Sequence, residues 1–146
     1  MSEASAGTPH QATCVAIGPR ALLIEGAPGS GKSSLALALI DRGGRLIGDD
    51  GVLLEAHGGA LIARPHPNTK GLIEVRNLGL VPLPVCEAAP VALALRLDAA
   101  APRFIEEPET LTLLDIALPL IRLWPDSPVL PLRAELALQR YGLPLD

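Results

Sequence analysis

The stretch Gly26-Ala27-Pro28-Gly29-Ser30-Gly31-Lys32-Ser33 constrains the fold of this chain more than any other part of its sequence. It satisfies G-x-x-x-x-G-K-[ST] at every fixed position, the pattern of a loop that cradles phosphates. Close approach to a triphosphate needs backbone N–H groups turned inward, and Gly26, Gly29 and Gly31 permit backbone angles that a Cβ would oppose. Lys32 would then set a point charge on the β and γ phosphates, and the Ser33 hydroxyl could ligand Mg²⁺. The flanks agree with this reading. Arg20 to Glu25 is a short apolar run of strand character, and Ser33 to Ile40 has helical composition, so the loop ends where a helix N-terminus favours anions. The whole loop, with Ser34 beside it, is the expected nucleotide site: Gly26, Ala27, Pro28, Gly29, Ser30, Gly31, Lys32, Ser33 and Ser34.

A chain of 146 residues supports one domain with its own core. We expect that domain at residues 10–146, after a disordered tail at 1–9 that has neither a basic n-region nor an apolar h-region. Hydrophobic residues make up 49% of the chain, yet Phe, Trp and Tyr occur once each, so Leu, Ile, Val and Ala must fill the core. Such a chain lacks aromatic platforms for stacked bases, carries a net charge of -4 and has no Lys/Arg cluster, which argues against a nucleic-acid partner. Cys14 and Cys86 lie far apart in sequence without metal-ligand spacing, and are expected to stay free thiols in a reducing cytoplasm. Mean hydropathy is +0.35. Pro82, Pro84, Glu87 and Pro90 interrupt one apolar stretch, and Asp115, Pro119 and Arg122 another, so no membrane span is expected.

Read in order, His10 to Ile17 has strand composition and Gly18-Pro19 is a turn signal, which predicts an antiparallel hairpin running into the loop. The helix should run from Lys32 to Asp41 or Arg42 and stop at Gly43-Gly44. A short strand, Arg45 to Gly48, then ends in Asp49-Asp50. Val52 to Glu55 and Ala60 to Ala63 flank His57-Gly58-Gly59 as a second hairpin. Val91 to Leu97 reads as a strand, Thr110 to Leu123 suits either a strand pair or a helix, with strands favoured because Pro119 opposes one uninterrupted helix, and Arg133 to Tyr141 reads as a C-terminal helix closed by Gly142.

Asp49 and Asp50 stand at a strand end where a phosphate-loop enzyme can hold a metal or a general base. Adjacent strand residues face opposite sides, so the two carboxylates should differ in role, one facing a γ-phosphate to accept a proton from an attacking hydroxyl. A turn-forming Asp-Asp-Gly is the structural alternative. Glu74 lies in a mostly apolar stretch and calls for a partner, Mg²⁺ or Arg76; a solvent-facing strand position is the alternative. His10, His57 and His66 receive no role from the residues alone.

Taken as an ordered set, these segments resemble the catalytic domain of the HPr kinase/phosphorylase family. The resemblance spans roughly His10 to Gly79. It rests on His10 opening the hairpin, the loop Gly26 to Ser33, Arg42-Gly43-Gly44-Arg45-Leu46-Ile47-Gly48-Asp49-Asp50, and Leu72-Ile73-Glu74-Val75-Arg76-Asn77-Leu78-Gly79, which is similar to the family's E-[IV]-R-G-L-G signature. Asn77 stands where that signature has a glycine, and the family's later G-A-G-A-hydrophobic-Arg segment has no counterpart. In length the chain resembles the short form of some proteobacteria.

The resemblance implies an α/β fold with a mixed sheet, a P-loop and a phosphoenolpyruvate carboxykinase-like architecture. It implies ATP and Mg²⁺, with Lys32 on the phosphates, Ser33 and Glu74 on the metal, Asp50 as the base that deprotonates a target serine, His10 as its support, and Asp49 beside it. The expected activity is an ATP-dependent serine kinase acting on the phosphocarrier protein HPr, in regulation of the bacterial phosphotransferase system. With the later arginine segment absent, the expectation is confined to phosphorylation. The run Leu80 to Pro90 is the candidate docking surface for HPr, and a homo-oligomer stays open. Two other readings remain beside this one, an ATP-binding regulator without transfer activity and a small-molecule kinase or NTPase with a parallel sheet.

Overall fold

The computed structural model of the chain describes residues 7–145. Two hairpins start it. Strand β2 (Thr13–Ile17) turns at Gly18-Pro19 into β3 (Arg20–Glu25), and the two pair antiparallel. After the 26–33 loop comes helix α1 (Lys32–Asp41), then β4 (Arg45–Gly48), which returns to pair antiparallel with β2. The second hairpin joins β5 (Val52–His57) to β6 (Ala60–Pro65), and β1 (Thr8–His10) lies along the outer edge of β5. A small separate pair, β7 (Leu72–Val75) and β8 (Gly79–Pro82), carries the signature-like segment. Strand β9 (Ala89–Leu97) follows, then the hairpin β10 (Glu109–Leu113) and β11 (Ile116–Leu123), and helix α2 (Leu130–Tyr141).

Strand β9 ties the sheet together. One edge pairs in parallel with β3; the other pairs antiparallel with β6 near its start and in parallel with β11 near its end. The result is a nine-stranded mixed sheet of order β1-β5-β6-β9-β3-β2-β4, with β11 and β10 branching from β9. Both sides of its centre are buried, which explains why β3 and β9 read as near-continuous apolar runs. Leu22, Ile24, Leu93 and Leu95 pack against Leu35, Ala36 and Leu39 of α1 and Leu130, Ala134, Ala137 and Leu138 of α2. Leu23, Ala94 and Ile47 face the other way, toward Val52, Leu54, Leu61 and Ala63 of the second hairpin.

The mixed sheet and both hairpins agree with the sequence reading, and the antiparallel β2–β3 pair removes the parallel-sheet architecture. Three details differ. The strand expected from His10 to Ile17 is divided at Gln11-Ala12, because its first residues leave β2's neighbours to pair with β5. Of the tail expected at 1–9, residues 1–6 lie outside the described residues, whereas Thr8 and Pro9 belong to β1, held by Leu54 and Leu53. Helix α2 begins at Leu130, ahead of Arg133, since Pro131 in its first turn has the fixed backbone angle that a helix start tolerates. Pro119 is accommodated within β11 opposite Thr110 of β10, and pairing with β9 starts only at Leu120.

The topology gathers strand ends. Strands β3 and β4 are both antiparallel to β2, and β9 is parallel to β3, so all three finish at one edge. Glu25-Gly26, Asp49-Asp50 and Arg96 to Asp98 therefore meet there, at the carboxyl ends where open α/β sheets hold ligands.

Candidate active site

The 26–33 loop connects β3 to α1 and wraps a cavity of about 380 Å³. Gly31 precedes the helix with φ 105°, a left-handed conformation that a side chain would strain. No side chain caps α1. The first amides of a helix have no intrahelical acceptors, so here they remain available to an anion. Gly26 is required for a different reason: a Cβ there would lie 2.5 Å from Ser30 Oγ, itself buried without a hydrogen-bond partner under the loop. The Ser30 amide donates to the Ala27 carbonyl at 3.0 Å, which closes the turn. Lys32 Nζ donates to the Gly26 carbonyl at 2.9 Å and to that of Ala27 at 3.3 Å, so its ammonium sits over the first residues of the loop.

Asp49 is the hydrogen-bond centre of the opposite wall. Its Oδ1 accepts from Ser33 Oγ at 2.6 Å and from Thr13 Oγ1 at 3.1 Å, while Oδ2 accepts from the Glu74 amide at 2.9 Å. Thr13 is fully buried and in turn accepts from the Asp50 amide at 3.1 Å. Three segments distant in sequence are thus fixed to one carboxylate. Asp50 is different. Its backbone turns left-handed, with φ 61°, and its exposed carboxylate lines the cavity without a hydrogen bond to another described residue. One aspartate is thus engaged by three hydrogen bonds, and the other by none among the described residues.

Glu74 and Arg76 line the same cavity, and among the described residues they do not form an ion pair with each other. Asn77 has φ 74°, a conformation that Asn adopts more readily than most side chains, which explains how it replaces a glycine between β7 and β8. His10 is placed elsewhere than the resemblance implies. Its Nε2 lies 3.1 Å from Glu25 Oε2, outside the cavity lining, and Arg96 Nη2 donates to the other Glu25 oxygen at 2.7 Å. The cause is register: β1 lies on β5, and β3 on β9 sets Glu25 opposite Arg96. The hydrogen bond from His10, then Arg96, holds the Glu25 carboxyl below its ordinary range against the opposing effect of burial. Thr13, Gln11, Glu25 and Arg96 were not identified from sequence. Glu25 offered one signal, a charge directly before the loop at the end of an apolar strand.

The cysteines are free. Although far apart in sequence, both contribute to the core face beneath the second hairpin. Burial, with a smaller contribution from Cys86, pushes the Cys14 thiol far above its ordinary range, so it is no nucleophile. His66 Nδ1 accepts from the Asn68 amide in a loop, and His57 ends β5 at a hairpin tip; neither lines the cavity. Among the described residues no helix is long and apolar enough to cross a membrane.

The family profile described as HPr Serine kinase C-terminal domain matches residues 3–86, more than half of the sequence. The chain belongs to this family. Relatives of the HPr serine kinase C-terminal domain include the HPr kinase/phosphorylase of Clostridium tetani, 46% identical over 63 residues, which is 43% of this chain and 21% of that protein. The HPr kinase/phosphorylase of Mycoplasmopsis pulmonis is 44% identical over 69 residues, covering 47% of this chain and 22% of the relative. The chain thus aligns with about a fifth of the length of the curated relatives it matches. The Hpr(Ser) kinase/phosphatase from Coxiella burnetii has a similar solved structure, with TM-score 0.80 and 28% identity, covering 90% of this chain and 88% of that one. The family's kinase domain is therefore matched in fold almost throughout, including β9 to α2, where the sequence resemblance had faded.

The family implies a divalent metal, and the donors present suit Mg²⁺. Ser33 Oγ and the carboxylates of Asp49 and Glu74 are hard oxygen ligands around one cavity. Among the described residues no cluster of three or more His, Cys, Asp or Glu is built to hold a metal by itself. Mg²⁺ does not need one, since it keeps several waters and takes oxygens from bound phosphates.

Proposed function

We propose that this chain is a Mg²⁺-ATP-dependent protein serine kinase domain whose substrate is HPr, acting in the cytoplasm within phosphotransferase-system regulation. The observation that carries this reading is the meeting, in one cavity, of the 26–33 loop, the Ser33–Asp49 bond and the unengaged Asp50 carboxylate. Family membership supplies the substrate class.

In this mechanism the amides of the loop and of the first turn of α1 bind the β and γ phosphates. Lys32 exchanges its two carbonyl acceptors for phosphate oxygens. Ser33, oriented by donating to Asp49, and Glu74 are the ligands for Mg²⁺, which when bound neutralises charge on the β and γ phosphates. Asp50 receives the proton of the target serine as its Oγ forms a bond to the γ-phosphorus and the bond to the ADP oxygen breaks. Products are phosphoserine-HPr, ADP and a proton held first on Asp50. Of the run Leu80 to Pro90, Val81 and Leu83 pack against the core and Ala89 is buried, so exposed Leu80, with Leu78 beside it on the β7–β8 hairpin, offers HPr the apolar docking edge.

Transfer of labelled γ-phosphate from Mg²⁺-ATP to purified HPr tests this, with an HPr whose target serine is alanine and the Asp50→Asn enzyme as comparisons. Label on wild-type HPr alone supports the assignment. ATP binding without label on HPr refutes it and favours a binding-only regulator.

A further inference from the structure

A second open cavity, of about 420 Å³, adjoins the first and shares Gln11 and Gly26 with it. Its other walls include Glu25, Ala27, Arg96 and Asp98. The position of Lys32 shows which end of a bound triphosphate it neighbours. The lysine of such a loop serves the β and γ phosphates, and its ammonium lies on the carbonyls of Gly26 and Ala27. The second cavity therefore adjoins the loop residues beside which the β and γ phosphates would lie, and it meets the cavity of Asp50 at Gln11 and Gly26.

The charged walls are held by hydrogen bonds. Glu25 is held on both oxygens, by His10 and by Arg96. Asp98 accepts from the Ala100 amide at 2.8 Å and from Arg122 Nη1 at 3.0 Å. Among the described residues Arg96 uses only Nη2, in its bond to Glu25, which leaves its other N–H groups for a ligand, and exposed Gln11 makes no side-chain hydrogen bond. No aromatic ring lines the cavity, so a stacked nucleobase has no platform there. A polypeptide suits it better, because an extended chain presents a C=O and an N–H at every residue and is recognised by fixed donors and acceptors.

We infer that this cavity is the acceptor subsite: it takes the backbone of the substrate protein next to the target serine, with Arg96 donating to its carbonyls and Gln11 bonding it at the junction with the phosphate cavity. The inference rests on the kinase reading. Glu25 then acts as a positioning residue that presents the Arg96 guanidinium.

The test is steady-state transfer to HPr by the whole chain, wild type against Gln11→Ala and Arg96→Met. KM for HPr should rise about fivefold or more, the loss of one hydrogen bond, while KM for ATP stays within about twofold. Gln11→Ala breaks no bond to a described residue and should keep the wild-type unfolding midpoint, so a folding defect in Arg96→Met cannot shield the inference. Arg96→Lys, which can still pair with Glu25 but offers fewer donors, should give an intermediate KM for HPr. Unchanged KM for HPr in both Gln11→Ala and Arg96→Met overturns the subsite, as does a rise in KM for ATP alone, which would assign the cavity to nucleotide. A wild-type chain that leaves HPr unlabelled refutes the kinase reading itself, and the subsite falls with it.

Discussion

Replacing Asp49 separates its structural role from its charge. In Asp49→Ala three hydrogen bonds to a carboxylate disappear together, from Ser33, Thr13 and the Glu74 amide. All three donor residues line the cavity, and water can take over at half-buried Ser33 and exposed Glu74. Thr13 is fully buried, so its hydroxyl loses its acceptor without replacement. An orphaned buried donor costs about 1–3 kcal/mol, and with partial losses at the other two the expected destabilisation is about 3 kcal/mol. For a chain of this length that corresponds to a melting point lower by about 6–12 °C. Asp49→Asn should behave otherwise. Its carbonyl can still accept from Ser33 and Thr13, and only the Glu74 amide then faces an NH₂ group, so a loss of about 1 kcal/mol is expected. Urea unfolding followed by far-UV circular dichroism and by Trp124, the single tryptophan, measures both variants. Asp49→Ala within about 0.5 kcal/mol of wild type, a difference typical of inconsequential surface changes, would refute the claim that this carboxylate organises the site.

Asp50→Asn should retain ATP affinity and stability, because Asn tolerates the left-handed backbone at that position, while transfer to HPr falls by about 10²-fold or more; calorimetric ATP titration beside the transfer assay checks both. Lys32→Ala should abolish detectable transfer and also weaken ATP binding, since it removes a charge placed on the phosphates themselves. Glu25 has a depressed titration in the folded chain, so its contribution to stability is present above its ordinary value of 4.5 and is lost as pH falls through the lowered one. The stability gap between wild type and Glu25→Gln should accordingly be widest near neutral pH and close as the pH drops well below 4.5; a gap independent of pH would contradict the charged pairing. Gly26→Ala should reduce ATP binding and lower stability by about 1–3 kcal/mol, because its Cβ would meet Ser30 Oγ inside the loop.

The parts of this molecule legible in its sequence are those whose cause is local. Gly18-Pro19 and Gly58-Gly59 determine their turns within a few residues, and the 26–33 loop carries its backbone geometry in the closely spaced Gly26, Gly29 and Gly31. The strand before the loop could be recognised because both faces of β3 are buried, which leaves no polar alternation to obscure it. Asp49 and Asp50 were legible as a pair at a strand end, but both border the same cavity, so strand alternation is not what separates them. Their actual division needed Thr13, which comes from β2 and holds the Asp49 carboxylate and the Asp50 amide at once.

What escaped the sequence is the other side of the loop, and the reason is topological. Glu25 and Arg96 are 71 residues apart and meet only because β9 pairs in parallel with β3 in a register that sets them opposite one another. Neither residue has a spacing or a flanking pattern that reports this. His10 was singled out by resemblance alone and was therefore attached to the nearest chemistry, Asp50; the structure shows that the edge pairing of β1 on β5 turns it to Glu25 instead. A charge placed directly before a phosphate loop would repel the ligand if left bare, and the Arg96 guanidinium and the His10 ring, from distant strands, reach it. That arrangement gives Glu25 a physical reason to exist beside a polyanion. It also makes the His10 and Arg96 substitutions interdependent, so removing both should cost less than the sum of the single losses once Glu25 is also replaced by Gln.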